Sequence, residues 1–471
     1  MRLDSVIFLS CFLPALALLS CIVRGTRPKN ILLLIAGLVF CAFGGLSGLL
    51  VLLVTAAVNY LLALLIRARE TPCRAAVAAA VVLDLAALVF YKYLDLLLSL
   101  ILSAQRAALS GAALAAPIGI SFFTFKCISY VVDVYRDRKS CVGGFFAFLL
   151  YVSFFPQITA GPIARARDFL PQLEHRSSDP DLALKGMQRY IVGMAKKLLL
   201  SAAAAKIADA FFAADAALDA RSAWLGAIAF MLQIYFDFSA YSDMAIGLGN
   251  LFGFETPENF DRPYLAVSLT DFWRRWHISL SSWFRDYLYI PLGGSRKGRA
   301  RAIVNKLIVF ALSGLWHGAA WTFLLWGLWH GILVSLETLR VIDPAKLRDA
   351  RGARVLGRCY TLLAVCFGFV LFRADGLPAA WRLLSAMFGA SPLTAASSAA
   401  LLRVLNPVNV FLLLLGAAVV PLESLCPPAA YLAPAGRAPR ILSCAVCLAL
   451  LVLCVAALSA GGFAPFIYAQ F

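Results

Sequence analysis

The sequence predicts an all-α polytopic membrane protein, a bundle of about 11–12 transmembrane helices with re-entrant or interfacial helices added. Three observations predict it. Hydrophobic residues make up 62% of the 471 positions and charged residues only 14%. The apolar runs recur along the whole chain instead of forming one anchor. Basic residues gather in the connections between runs, as cytoplasmic loops require.

Taken in order, the predicted spans are 6–23, 31–43, 46–66, 75–102, 112–135, 142–160, 222–247, 303–317, 320–340, 359–372, 404–425 and 440–460. The first has Arg2 beside Asp4, no A-x-A cleavage site and further spans behind it, so a retained helix is expected in place of a signal peptide. The run 142–160 ends at Gly161-Pro162 and is followed by Arg165, Arg167 and Arg176, which fits a re-entrant piece returning inward. Segment 182–213 carries Lys185, Arg189, Lys196, Lys197 and Lys206, and is a poorer candidate span, read at least as well as an interfacial helix with snorkelling lysines. One membrane domain, 1–471, is expected, with its motifs concentrated in 230–335.

The net charge is +17, from 42 Lys and Arg against 25 Asp and Glu. Arg24, Arg27 and Lys29, then Arg67, Arg69 and Arg74, then Arg136, Arg138 and Lys139 punctuate successive connections. With the spans above, they share one face with Arg296–Lys306, Arg340–Arg358, Arg437 and Arg440, and both termini fall outside. Charges spaced this way exclude a nucleic-acid surface. The twelve cysteines are scattered and imply no disulfide framework. Cys444 and Cys447 lie in an apolar run without a second pair, so no metal site is expected. No phosphate-loop, dinucleotide or H-E-x-x-H motif is present in the sequence.

Three of the four histidines, His277, His317 and His330, stand inside or beside predicted membrane, where an ionisable group is costly. His317 occupies the apolar stretch from Ala302 to Arg340, long enough for a tight helical hairpin. At 1.5 Å per residue it lies about 21 Å above the cytoplasmic boundary, in the outer half of the bilayer. Gly314, Gly318, Gly327 and Gly331 allow close approach of backbones along that hairpin. His330 reads as structural or interfacial. His277 sits among Trp273, Arg274, Arg275, Arg285 and Asp286, too polar to span lipid and too aromatic for a solvated loop. Asp237 and Asp243 bring two carboxylates into an apolar helix, either as a network ordering helix packing or as cavity lining that orients a histidine. In FPQITAGP, residues 155–162, irregular backbone at membrane depth demands surrounding protein or a water-filled cavity.

These motifs carry a resemblance. The run ENFDRPYLAVSLTDFWRRWHISLSSWFRDYLYIPLGGSRKG, followed by LSGLWHGAAWTFLLWGLWHG, resembles the membrane-bound O-acyltransferase family in its bacterial alginate O-acetylation branch. PIGISFFTFKCISYVVDVYR, FPQITAGPIARARDF, YFDFSAYSDMAIGLGNLFGF and the terminal PFIYAQF extend the likeness over most of the chain. Ala240 departs from an expected glycine, YAQF departs from a commoner aromatic ending, and 375–405 matches no family pattern. The teichoic acid D-alanyl transfer protein is a nearer cousin than the eukaryotic lipid acyltransferases.

The resemblance implies that His317 is the catalytic histidine and His277 its characteristic second. Trp273, Arg274, Arg285, Asp237, Asp243 and Trp316 are candidate substrate-binding residues. The expected reaction moves an acyl group, acetyl first, from a cytoplasmic thioester to a hydroxyl of an extracytoplasmic polysaccharide or to an esterase-like acyltransferase partner. No tightly bound cofactor is expected; the co-substrate is acetyl-CoA or an acyl-carrier protein. Arg296, Lys297 and Arg299 are candidate partners for CoA phosphates, and His277 is expected to orient the thioester or polarise its carbonyl. The alternatives are D-alanyl transfer to teichoic acid from a carrier protein, a secondary transporter, and a structural scaffold. A transporter predicts repeat symmetry. A scaffold does not account for polar residues gathered at 237–243, 271–286 and 317.

Overall fold

The computed structural model describes the chain except residues 70, 72, 102–115, 140–142, 177, 178, 423–431, 433, 462–465 and 468–471. Parts of the predicted spans 75–102, 112–135 and 404–425, and the YAQF ending, therefore lie outside the described residues. Every long element among the described residues is a helix. Five are long and apolar enough to cross a membrane: Leu46–Ala68, Arg74–Tyr93, Ala220–Leu251, Arg351–Arg373 and Arg437–Ser459. A sixth is the pair Ala395–Val404 and Pro407–Leu422, bent by 73° at its break. Other predicted spans are present as shorter or more polar helices, such as Thr26–Ala42, Arg299–His317 and Trp321–Thr338. The protein is thus a multi-pass helical membrane protein that combines helices long enough to cross with shorter ones.

Contacts divide the chain into two compact units, residues 1–187 with 244–257 and residues 188–243 with 258–471. In the first unit, helix 46–68 packs against helices 74–101 and 120–136, and helix 26–42 packs against Phe145–Ser153. That last helix has nine residues, about 14 Å of rise, less than half a hydrocarbon core. The chain then turns back. Asn30, near the start of helix 26–42, donates to the Leu173 carbonyl at 2.9 Å and accepts from Arg176 at 2.6 Å. The re-entrant reading of 142–160 therefore holds, and Arg176 returns to the end of helix 26–42 that follows the basic cluster. The FPQITAGP backbone is wrapped in protein, as its irregularity demands: residues 154–158 are all buried. Lys126 anchors the turn by donating to the Tyr151 carbonyl at 2.8 Å and to the Gln157 side chain at 3.0 Å.

The basic residues of 182–213, most of which belong to the second unit, do not snorkel as a group. Lys197 is 4% exposed and pairs with Asp237 at 2.5 Å. Lys196 and Arg189 pair with Asp243 at 3.1 and 2.9 Å, and Arg189 also forks onto Glu258. Only Lys185 and Lys206 are exposed. The reason is pairing: helix 220–251 supplies carboxylates at matching heights, and a paired charge is cheaper buried than an unpaired one. Asp237 also accepts the Ile467 N–H at 2.8 Å, and the Phe466 ring packs on Phe238 and Tyr241.

Helices 299–317 and 321–338 form the expected hairpin, and its glycines explain the tightness. A Cβ on Gly314 would strike the Phe323 carbonyl, and one on Gly327 would strike the Phe310 carbonyl. Helix 351–373 packs against helix 321–338. The short helix Leu269–Arg275 is fixed from that hairpin: the buried Glu337 carboxylate accepts Leu269 N–H at 2.7 Å and Thr270 N–H at 2.9 Å. A carboxylate there meets two of the orphan donors and the positive end of the helix dipole.

Candidate active site

His277 links two short helices. It precedes Ile278–Phe284 with φ 45 and ψ 53, a left-handed conformation that is uncommon and strained for a residue with a side chain. Neighbouring backbone holds it there, since Trp276 N–H bonds the Phe272 carbonyl at 2.8 Å and Ile278 N–H bonds the Asn259 carbonyl at 3.0 Å. The side chain is 2% exposed. Its Nδ1 lies 3.2 Å from Asn259 Oδ1.

That contact sets the tautomer. The backbone N–H of Ser279 can only donate, and it meets the same Asn259 atom at 3.2 Å, so this atom is the amide oxygen. The amide nitrogen of Asn259 correspondingly donates to Ser242 Oγ at 3.0 Å. His277 Nδ1 must therefore carry the proton, and Nε2 presents its lone pair. Burial lowers the pKa of this imidazole and keeps it neutral. A neutral ring in this tautomer accepts a proton or hydrogen bond at Nε2; it has no proton there with which to polarise a carbonyl. The expectation that His277 orients a substrate group is compatible with this geometry, whereas carbonyl polarisation is not.

His317 is the last residue of helix 299–317, at the break before helix 321–338 begins. It is 3% exposed and enclosed by rings. Trp316, Trp326 and Phe372 each meet it edge to face, with centroids at 4.7, 5.1 and 5.1 Å. Trp316 also meets His277, at 6.4 Å. One indole therefore touches both imidazoles, bringing together two histidines 40 positions apart in the chain. Phe238 closes the other side of His277 at 4.6 Å.

A cavity of about 470 Å³ opens beside this pair, lined by Trp273, Arg274, Arg285, Lys306 and Ser313 among others. Ser313 stands one helical turn before His317, about 6 Å along the same helix face. The structure places Trp273, Arg274 and Arg285 on the cavity lining. Asp237 and Asp243 lie elsewhere, in the ion pairs with Lys197, Lys196 and Arg189. Arg296 and Lys297 on an exposed turn, and Arg299 at the exposed start of helix 299–317, are not on the cavity lining; Lys306 is, where it bonds Thr338. Sequence reasoning missed Asn259, Lys306 and Glu337. His330 is fully buried. Cys444 and Cys447 are free thiols.

The arrangement has what acyl transfer to a hydroxyl needs: a buried neutral imidazole at His277, a second buried imidazole at His317, and a cationic recess whose lining includes Ile278 and Ser313. Comparison with known proteins agrees. The model of the membrane-bound O-acyltransferase family matches residues 117–373. The chain is 40% identical over 395 residues to the probable alginate O-acetylase of Pseudomonas aeruginosa, covering 82% of this chain and 75% of that protein. It is 33% identical over 421 residues to the peptidoglycan O-acetyltransferase of Helicobacter pylori, covering 82% and 79%. Against the teichoic acid D-alanyltransferase of Bacillus subtilis the identity is 28% over 272 residues, covering 54% of this chain and 68% of that one. The chain is an O-acyltransferase of the membrane-bound O-acyltransferase family, within its alginate O-acetylation branch.

Proposed function

We propose that the protein transfers an acetyl group from a thioester donor on the cytoplasmic side of a bacterial inner membrane to a hydroxyl of an extracytoplasmic polysaccharide, directly or through an esterase-like partner. The observation that carries this reading is the cationic cavity whose lining includes Ser313, one helical turn before His317, with His277 joined to His317 by Trp316. Arg274, Arg285 and Lys306 suit the phosphates of acetyl-CoA or of a carrier-bound pantetheine arm, and the aromatic wall suits the thioester end.

In this reading His317 takes the proton of the attacking hydroxyl as oxygen bonds to the thioester carbonyl carbon. The tetrahedral intermediate collapses with loss of the thiolate, which regains that proton from the imidazolium; the ester forms, the thioester breaks, and no net proton is consumed. His277, protonated at Nδ1 and held by Asn259, accepts a hydrogen bond at Nε2 and so orients a donor or acceptor group. Acetyl is favoured over D-alanyl because the O-acetylating relatives align over 82% of the chain, and the D-alanylating one over 54%.

The test is release of free thiol from labelled acetyl-CoA by purified protein in liposomes, with envelope polysaccharide as acceptor. His317→Ala should insert and fold normally and lose about 10² to 10⁴ in rate, the usual range for a general base. Near-normal turnover by this variant would place the base elsewhere.

A further inference from the structure

His330 has no part in the transfer scheme, yet its placement costs the fold free energy. It is wholly buried on helix 321–338, and neither ring nitrogen bonds to another group among the described residues. A phenylalanine would fill the same space without that desolvation cost, so packing alone does not account for an imidazole there.

Its neighbours give it a role. Trp273 and Trp326 meet it edge to face at 5.1 and 5.4 Å, and meet each other at 5.7 Å, so three rings brace one another in a closed triangle. The indole N–H groups of both tryptophans are likewise buried without a hydrogen-bond partner among the described residues. Two indole donors thus stand beside an imidazole that offers one donor and one acceptor. Helix 351–373 clamps the ring from behind, where Gly368 alone leaves room: a Cβ there would press on Nε2. Trp326 then carries the constraint outward, because its ring is the one that meets His317 at 5.1 Å and 89°.

We propose that His330 is a positioning residue for acyl transfer, fixing through its ring nitrogens the Trp326 indole that walls His317. This rests on the acyl-transfer reading above. Three variants separate polarity from packing: His330→Phe keeps a ring without nitrogen, His330→Gln keeps a donor and an acceptor without a ring, and His330→Ala keeps neither. In liposomes supplied with acetyl-CoA, the Phe and Ala variants should lose about tenfold or more in kcat with KM for acetyl-CoA changed less than about twofold, and Gln should recover most of the loss. The Phe variant should melt no lower than wild type. A second readout is independent of activity: the rate at which diethyl pyrocarbonate modifies His317, followed by mass spectrometry, should rise several-fold in Phe and Ala and stay unchanged in Gln. If His330→Phe keeps wild-type kcat and wild-type His317 reactivity, His330 is a filler and the proposal fails. If wild type cleaves no acetyl-CoA, the functional reading fails, while the reactivity of His317 still decides whether His330 controls it.

Discussion

Asn259 decides the chemistry available to His277, because one amide oxygen receives both the Ser279 N–H and the His277 ring nitrogen. Removing it with Asn259→Ala leaves Nδ1–H without its acceptor and releases the tautomer. Loss of a buried hydrogen bond of roughly 1–3 kcal/mol corresponds to about 5- to 150-fold in kcat/KM for donor cleavage. A loss below twofold would make the Asn259 contact irrelevant to turnover. Asn259→Asp makes a different prediction with a definite sign. The carboxylate would stabilise the imidazolium and raise the His277 pKa, so the acid limb of the pH–rate profile should move to higher pH. At this scale His277 and His317 were legible because an ionisable ring in an apolar run is conspicuous in any sequence. Asn259 was not, since an amide 18 positions before its histidine follows no helical or strand period, and only the folded loop brings them together.

The short helix 269–275 shows what an element can and cannot do alone. Seven residues are too few to hold a helix in water or lipid without help, so the Ser268 cap and the Glu337 carboxylate supply its missing acceptors. Trp273 and Arg274 reach the cavity from this helix, so Glu337 acts on the site from its far end. Glu337→Gln should lower the thermal unfolding midpoint in detergent, by an amount matching about 1 kcal/mol from weaker capping and dipole interaction. It should also raise KM for acetyl-CoA more than it lowers kcat, because the cavity wall loosens while His317 stays on its own hairpin. An unchanged midpoint would mean the N–H groups find other acceptors. The hairpin 299–338 was readable from its glycines, since close backbone contact leaves a compositional trace. Segment 182–213 was misread for the converse reason: lysines bound for buried carboxylates and lysines bound for headgroups look identical until helix 220–251 is laid beside them.

At the scale of the molecule, the charge of +17 should dictate orientation. Basic connections 24–29, 67–74 and 340–358 are expected on the cytoplasmic face, with both termini outside. In a background stripped of native cysteines, Ala350→Cys should react with an impermeant maleimide only when the cytoplasmic face is open; reaction from outside alone would overturn the topology. The bundle class was legible because lipid leaves a chain few options, helices above all. The balance of full and partial crossings was harder to read. A nine-residue helix followed by buried irregular backbone has the same apolar composition as a complete span, and only contacts such as Arg176 with Asn30 reveal that the chain turned back.

The pin between Ile467 and Asp237 joins positions 230 apart. At about 5–20 residues per second of synthesis, roughly 12–46 s separate the appearance of the carboxylate from that of its backbone partner. Lys197, already made, can neutralise Asp237 at once, while the bond from the Ile467 N–H must wait. Insertion of helix 220–251 therefore precedes completion of the fold around it, and the assembly passes through a stage in which the Phe466 ring has yet to pack on Phe238 and Tyr241. A nascent chain arrested before residue 466 is the species on which membrane quality control would act.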